Sequence, residues 1–201
     1  MRAQCLARGA KGQLSERSPG ILVLVVGPSG VGKDTLIQGA RQALDADKRF
    51  SFVRRLVTRP TDIEVEDHLS LEPSEFAEAR AAGRFALHWE AHGLQYALPI
   101  GVYTDLALGR VVVANVSRHV VPAALAKYPS SRVVMISAEI SLRAERLASR
   151  GREGRDQIAA RLAREGATLP SGISPVIIDN SNSIGIGVHA FVMALRGISG
   201  D

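Results

Sequence analysis

The chain has 201 residues, 46% of them hydrophobic and 22% charged, with a net charge of +5; this is the composition of a folded globular chain, not of a disordered or fibrous one. No apolar run approaches the ~20 residues of a membrane span, and the lone Cys5 excludes an internal disulfide and points to a reducing, cytoplasmic setting. Aromatic residues make up only 4% of the chain and the arginines cluster in two places, so the positive charge points to small phosphorylated ligands and not to nucleic acid.

Residues 1–20 carry Arg2, Arg8, Lys11 and Arg17 without an apolar stretch between them, and are expected to form a flexible extension. Residues 21–201 fit one domain. The run Ile21 to Val26 is uniformly apolar and β-branched, the pattern of a buried parallel strand. It leads into Gly27-Pro28-Ser29-Gly30-Val31-Gly32-Lys33-Asp34-Thr35 and then into an apolar helical pattern through Leu44. Strand, glycine loop, lysine and helix together are the context of a P-loop. The glycines turn the backbone N–H groups toward a phosphate, the helix N-terminus adds its dipole, and Lys33 supplies a point charge for the β- and γ-phosphates of ATP.

A hydroxyl side chain that ligates Mg2+ is usual after such a lysine; here Asp34 stands there, with Thr35 next. A carboxylate is a hard ligand for Mg2+, so Asp34 and Thr35 are candidate metal ligands. The competing reading is that Asp34 only favours the helix N-terminus, by roughly 0.3–1 kcal/mol.

Phe50 to Val57 reads as one strand on which Arg54 and Arg55 alternate, so only one of them faces a site. Pro60 ends it, and residues 61–72 read as an acidic loop. Helices are expected over Pro73 to Ala82, Pro99 to Leu108, Val120 to Lys127, Ile140 to Arg150, Asp156 to Glu165 and Gly187 to Leu195. Two short strands flank Ala91-His92-Gly93, and buried strands fall at Val111 to Asn115, Arg132 to Ser137 and Pro175 to Asp179. Strands alternating with helices predict an α/β fold with a five-stranded parallel sheet covered on both faces, its ligands at the carboxyl ends of the strands. There the loop at Gly27, Thr58-Arg59, Asn115 and Asn180 are expected to share one edge.

Arg143, Arg146 and Arg150 are spaced i, i+3, i+7 on one helix face, with Arg152, Arg155, Arg161 and Arg164 following across a glycine-broken turn. Arginines without lysines suggest a lid that closes over a triphosphate. Arg143, Arg150, Arg152, Arg155 and Arg161 are the candidates for phosphate contact, and Arg146 and Arg164 are read as surface charges or salt-bridge partners.

The glycine loop, the lid and the segment FALHWEAHGLQY resemble the guanylate kinase-like branch of the P-loop kinases. The resemblance is closest to the ribose 1,5-bisphosphate phosphokinases of phosphonate metabolism, through GPSGVGKDTL, RRLVTRP, EDH, ALHWEAHGLQY, GRVVVANVSR and VIIDNS, over about residues 20–196. It implies a three-layer fold like that of the nucleoside monophosphate kinases, with an acceptor-binding insertion at about 58–98 and a lid at about 150–156. The implied reaction is ATP-dependent phosphorylation of ribose 1,5-bisphosphate to 5-phosphoribosyl 1-diphosphate, with Mg2+, by a monomer or homodimer. Arg55, Arg59 and Tyr96 would bind acceptor phosphate, while Asp67, His68 and Asn115 would meet sugar hydroxyls, phosphate or metal-bound water. Glu90 falls where guanylate kinases carry a base-binding acid, and is expected here to pair with Arg55 or Arg59. Asn180 would lie near adenine or cap the last helix. The chain departs from the family pattern at Ile63-Glu64-Val65 and Ala97, both expected around the acceptor site. The alternatives are a guanylate or other nucleoside monophosphate kinase and a non-catalytic guanylate kinase-like binding module.

Overall fold

The computed structural model describes residues 19–59, 68–149, 154, 158–160, 162 and 169–200. Its centre is β1 (Ile21–Val26). Leu22, Leu24 and Val26 point to one side of this strand, Val23 and Val25 to the other, and none is more than 1% exposed. An uninterrupted apolar run is what a strand covered on both faces requires.

Four further strands complete an all-parallel sheet in the order β2-β7-β1-β8-β9: β2 (Phe50–Phe52), β7 (Val111–Asn115), β8 (Arg132–Ser137) and β9 (Val176–Asp179). One face is covered by α1 (Lys33–Ala43) and by the last helix, α6 (Ile184–Ser199), whose Phe191, Val192 and Leu195 pack with Leu36, Ile37 and Ala40 over Val23, Val25 and Ile136. Gly39 makes this possible, because a Cβ on it would run into Val188. The opposite face carries α3 (Gly101–Ala107), α4 (Val121–Lys127) and part of a second sheet.

That second sheet has the order β4-β3-β6-β5, with β3 (Arg55–Val57), β4 (His68–Ser70), β5 (Phe85–Ala91) and β6 (Leu94–Pro99). Here β3 and β4 are parallel, and β6 is antiparallel to both β3 and β5. Helix α2 (Pro73–Ala81) covers its outer face through Phe76 and Ala79, which meet Phe85 and Ala97. Helix α5 (Ile140–Ser149) follows β8 and leads toward the lid segment.

Three expectations are corrected. The single strand at Phe50 to Val57 is two strands in different sheets: the last ladder bond to β7 is Val53 N–H to the Val113 carbonyl, after which the chain leaves. Adjacent arginines at 54 and 55 have no place in a sheet apolar on both faces, since a buried guanidinium must be paired. Thr58-Arg59 therefore extends the second sheet and not the main one. His68–Ser70, read as loop, is a strand held by its backbone beside β3, with no apolar alternation to reveal it. The last helix also begins earlier than read, at Ile184.

Candidate active site

The glycine loop lies between β1 and α1 at the carboxyl edge of the main sheet. Gly30 and Gly32 have φ of 79° and 85°, values an L side chain rarely adopts. A Cβ on Gly30 would lie 2.9 Å from the Arg143 carbonyl oxygen, and one on Gly32 would lie 2.6 Å from Asn180 Nδ2. The glycines thus allow α5 and the end of β9 to press against the back of the loop while its front stays open. Lys33 Nζ donates to the carbonyls of Gly27 (2.8 Å) and Pro28 (3.0 Å), which holds the ammonium across the loop.

Two side chains brace the loop from behind. Asn180, 2% exposed, donates from Nδ2 to the Val31 carbonyl at 2.7 Å, and its backbone N–H donates to the Ser137 carbonyl at 2.8 Å. Arg143, 7% exposed, donates from Nε to the Ser29 carbonyl at 3.0 Å. Neither matches its expected role. Asn180 is spent on the loop, so it does not lie open to adenine, and it does not cap α6, whose N-cap is Ser183. Arg143 is buried against the back of the loop.

Arg146, read as a surface charge or salt-bridge partner, is also placed near the loop. Its Nη2 donates to the Asn180 carbonyl at 3.1 Å. Its Nη1 is buried without a hydrogen-bond partner, and lies 3.8 Å from where a Gly32 Cβ would be. The i, i+3 spacing with Arg143 was the signal for this placement. Arg150, Arg152, Arg155 and Arg161 lie outside the described residues, as do Asp67, residues 63–65 and nearly all of the lid at 150–156.

A second cluster brings together Arg55, Tyr96, His68, Asp34 and Asn115. Arg55 and His68 are register partners on β3 and β4. The Arg55 guanidinium carbon stands 5.9 Å from the centre of the Tyr96 ring, within cation–π range. Tyr96 stacks on Trp89 with centroids 5.5 Å apart and planes 9° apart, and Trp89 Nε1 donates to Ser117 Oγ at 2.9 Å. Asn115, 6% exposed at the tip of β7, donates from Nδ2 to Asp34 Oδ1 at 2.7 Å. The same oxygen is 3.7 Å from Arg55 Nη2. Asp34 is therefore turned toward Asn115 and Arg55. Thr35 is exposed in the first turn of α1, and Arg59 lies two residues beyond the end of β3.

Glu90 is corrected. Trp89 and Tyr96 are cross-strand partners buried on the face toward the main sheet, and successive residues of a strand alternate. Glu90 and its partner Gln95 thus lie on the other face, with Glu90 exposed. Among the described residues, the acid that faces Arg55 is Asp34. Ala97 also lies on that outer face, fully buried under α2, so this departure from the family pattern does not enter the pocket.

The solved guanylate kinase from Anaplasma phagocytophilum superposes with a TM-score of 0.64 at 14% identity, over 92% of this chain and 89% of that one, and so shares the fold. No family model matches the chain. A ribose 1,5-bisphosphate phosphokinase from Brucella abortus is 51% identical over 180 residues, which cover 90% of this chain and 94% of the relative. The chain belongs to the ribose 1,5-bisphosphate phosphokinase family. Other members carry the same unit within a longer protein: a bifunctional ribose 1,5-bisphosphokinase–thymidine phosphorylase from Cupriavidus necator is 43% identical over 90% of this chain, which spans 30% of that relative. The glycine loop and the Arg55–Tyr96 cluster meet at Asp34. Among the described residues no helix is long and apolar enough to cross a membrane.

Proposed function

We propose that the protein transfers the γ-phosphoryl group of ATP to the 1-phosphate of ribose 1,5-bisphosphate, giving 5-phosphoribosyl 1-diphosphate and ADP, in phosphonate catabolism. The observation that carries the choice of acceptor is the orientation of Glu90. An acid on the outer face of β5 cannot hold a guanine edge against Tyr96, and Leu98, 0% exposed in the core, offers no hydrogen bond to a base. In their place the pocket presents Arg55, whose planar fork suits a phosphate. Arg59, His68 and Tyr96 surround the second anionic group and the sugar, with Asp67 expected from the same segment.

The reaction needs no general base, because the attacking phosphate oxygen is already an anion. The bond from γ-phosphorus to the β-bridging oxygen breaks as the bond to the acceptor oxygen forms in line, and the electron pair leaves on ADP. The chain contributes position and charge. The loop N–H groups and Lys33 hold the donor phosphates, Arg146 faces the loop, Arg143 and Asn180 keep it rigid, and Arg150, Arg152, Arg155 and Arg161 are the arginines of the closing lid.

Mg2+ enters on the ATP phosphates as part of the substrate. Among the described residues no group of three or more His, Cys, Asp or Glu could fix an ion in advance, which suits an ion held mostly by phosphate and water. The Thr35 hydroxyl is the donor we assign to it. ADP release measured with ribose 1,5-bisphosphate, GMP and AMP in parallel tests the reading. Turnover of the bisphosphate is expected to dominate, and an enzyme that turned over only GMP or AMP would refute it.

A further inference from the structure

Asp34 is the residue that the phosphate-binding motif leaves unexplained. It stands where P-loops carry the Ser or Thr that ligates Mg2+, and it places a carboxylate beside the ATP phosphates, where an anion is unfavourable. From the geometry we infer that Asp34 is a positioning residue for the acceptor arginine: it serves as the counter-ion of Arg55, aimed by Asn115, and so ties the donor loop to the acceptor pocket. The inference rests on the phosphokinase reading above and assigns one of its parts.

Three features support it. First, Asp34 Oδ1 is doubly engaged, accepting a 2.7 Å hydrogen bond from Asn115 Nδ2 and facing Arg55 Nη2 at 3.7 Å. The Asn115 bond is short and fixes the carboxylate. At 3.7 Å the Arg55 contact is one of charge and not a hydrogen bond, so Asp34 attracts the guanidinium through its charge. Second, these side chains come from three separate elements, α1, β3 and β7, at the point where the two sheets meet. A cavity of about 20 Å3 lies among Asp34, Gln38, Arg41, Arg55 and Asn115, with Ile37 and Val53 completing its lining, room for about one water within reach of polar groups. Third, the Arg55 side chain is only 12% exposed, and a guanidinium that far from water needs a nearby anion before the acceptor arrives.

Asn115 is suited to its part. It is neutral, so it directs the carboxylate without adding a second negative charge beside the triphosphate. Its Oδ1 is buried without a hydrogen-bond partner, consistent with an amide fixed by its donor end alone.

The test is a double-mutant cycle on the full chain, with kcat/KM for ribose 1,5-bisphosphate as the main readout and the Mg2+ concentration for half-maximal rate as the second. Asp34→Asn and Asp34→Ser are made in the wild-type and in the Arg55→Ala background, with ADP binding confirming that each variant is folded. Asp34→Ser is the informative one, because it restores the usual P-loop hydroxyl for Mg2+ but no counter-ion for Arg55. We expect both Asp34 variants to lose about tenfold in kcat/KM when Arg55 is present and less than twofold when it is absent, as coupled neighbours do, with the Mg2+ requirement unmoved. Recovery in Asp34→Ser, an equal loss in both backgrounds, a raised Mg2+ requirement, or no loss at all would each overturn the inference. Failure of the wild-type enzyme to turn over the bisphosphate is a different result and counts against the proposed function itself. Binding is read separately through the fluorescence of Trp89, the one tryptophan in the chain, which stacks on Tyr96 beside Arg55.

Discussion

Lys33 is the residue whose loss separates chemistry from folding. Its ammonium rests on the Gly27 and Pro28 carbonyls, contacts that a loop of this shape does not need for its stability, whereas the charge it offers is required once phosphates are bound and most of all during transfer. Lys33→Ala is expected to abolish transfer while leaving the melting temperature within a few degrees of wild type. A variant that kept more than about a tenth of wild-type kcat would remove Lys33 from the mechanism. Gly32 makes the opposite case. With φ of 85°, alanine at this position costs ~1–2 kcal/mol of backbone strain, and its Cβ would crowd Asn180 Nδ2 at 2.6 Å. Gly32→Ala should therefore lower the melting temperature and raise the KM for ATP together. If either moved alone, the loop and its Asn180 brace would not be one unit.

At the scale of elements, legibility followed burial. The strands at Ile21–Val26, Val111–Asn115 and Arg132–Ser137 have the bounds read from the sequence, because a strand buried on both faces is a continuous apolar run whose ends are marked by the first polar residue. The region from Phe50 to Ser70 was not legible in this way. Its short strands belong to a sheet with one partly open face, and whether Arg55–Val57 pairs with β7 or with β4 and β6 depends on partners remote in sequence. The misreading of Glu90 has the same origin. Its motif is in place, but which face it occupies depends on the pairing of β5 with β6, where the register shifts between Phe85 and Leu87. Arg143 and Arg146 were put on one helix face correctly, yet only packing shows that this face lies against the loop. The layer formed by α1 and α6 carries its own prediction. Phe191 is 0% exposed at its centre, so Phe191→Ala should cost ~3–5 kcal/mol in denaturant unfolding. It should leave the KM for the acceptor unchanged, because Arg55, His68 and Tyr96 belong to the second sheet and Phe191 packs in the separate α1–α6 layer. A cost under about 1 kcal/mol would mean that this layer contributes little to holding the sheet.

Across the whole molecule, the proposed donor and acceptor sites belong to different sheets and meet where the P-loop helix faces Arg55. The fold is shared with guanylate kinase; in the proposed reading, discrimination between acceptors falls to side chains of the second sheet: Arg55, His68 and Tyr96 on the inner face, with Glu90 turned outward. A guanine base would find no acid and would meet Leu98, leaving a polar edge unpartnered at a cost of ~1–3 kcal/mol, while a second phosphate gains a charged contact that GMP cannot make. The two effects together set a preference of at least ~10²-fold in kcat/KM for ribose 1,5-bisphosphate over GMP. The most direct measurement is 31P NMR of the products formed from ATP with each acceptor under matched conditions. The account predicts that the bisphosphate yields ADP and a sugar carrying a new diphosphate and an untouched phosphomonoester, with GDP forming at least about a hundredfold more slowly from GMP. GDP appearing at a comparable rate, or a bisphosphate that keeps both monoester signals, would contradict it.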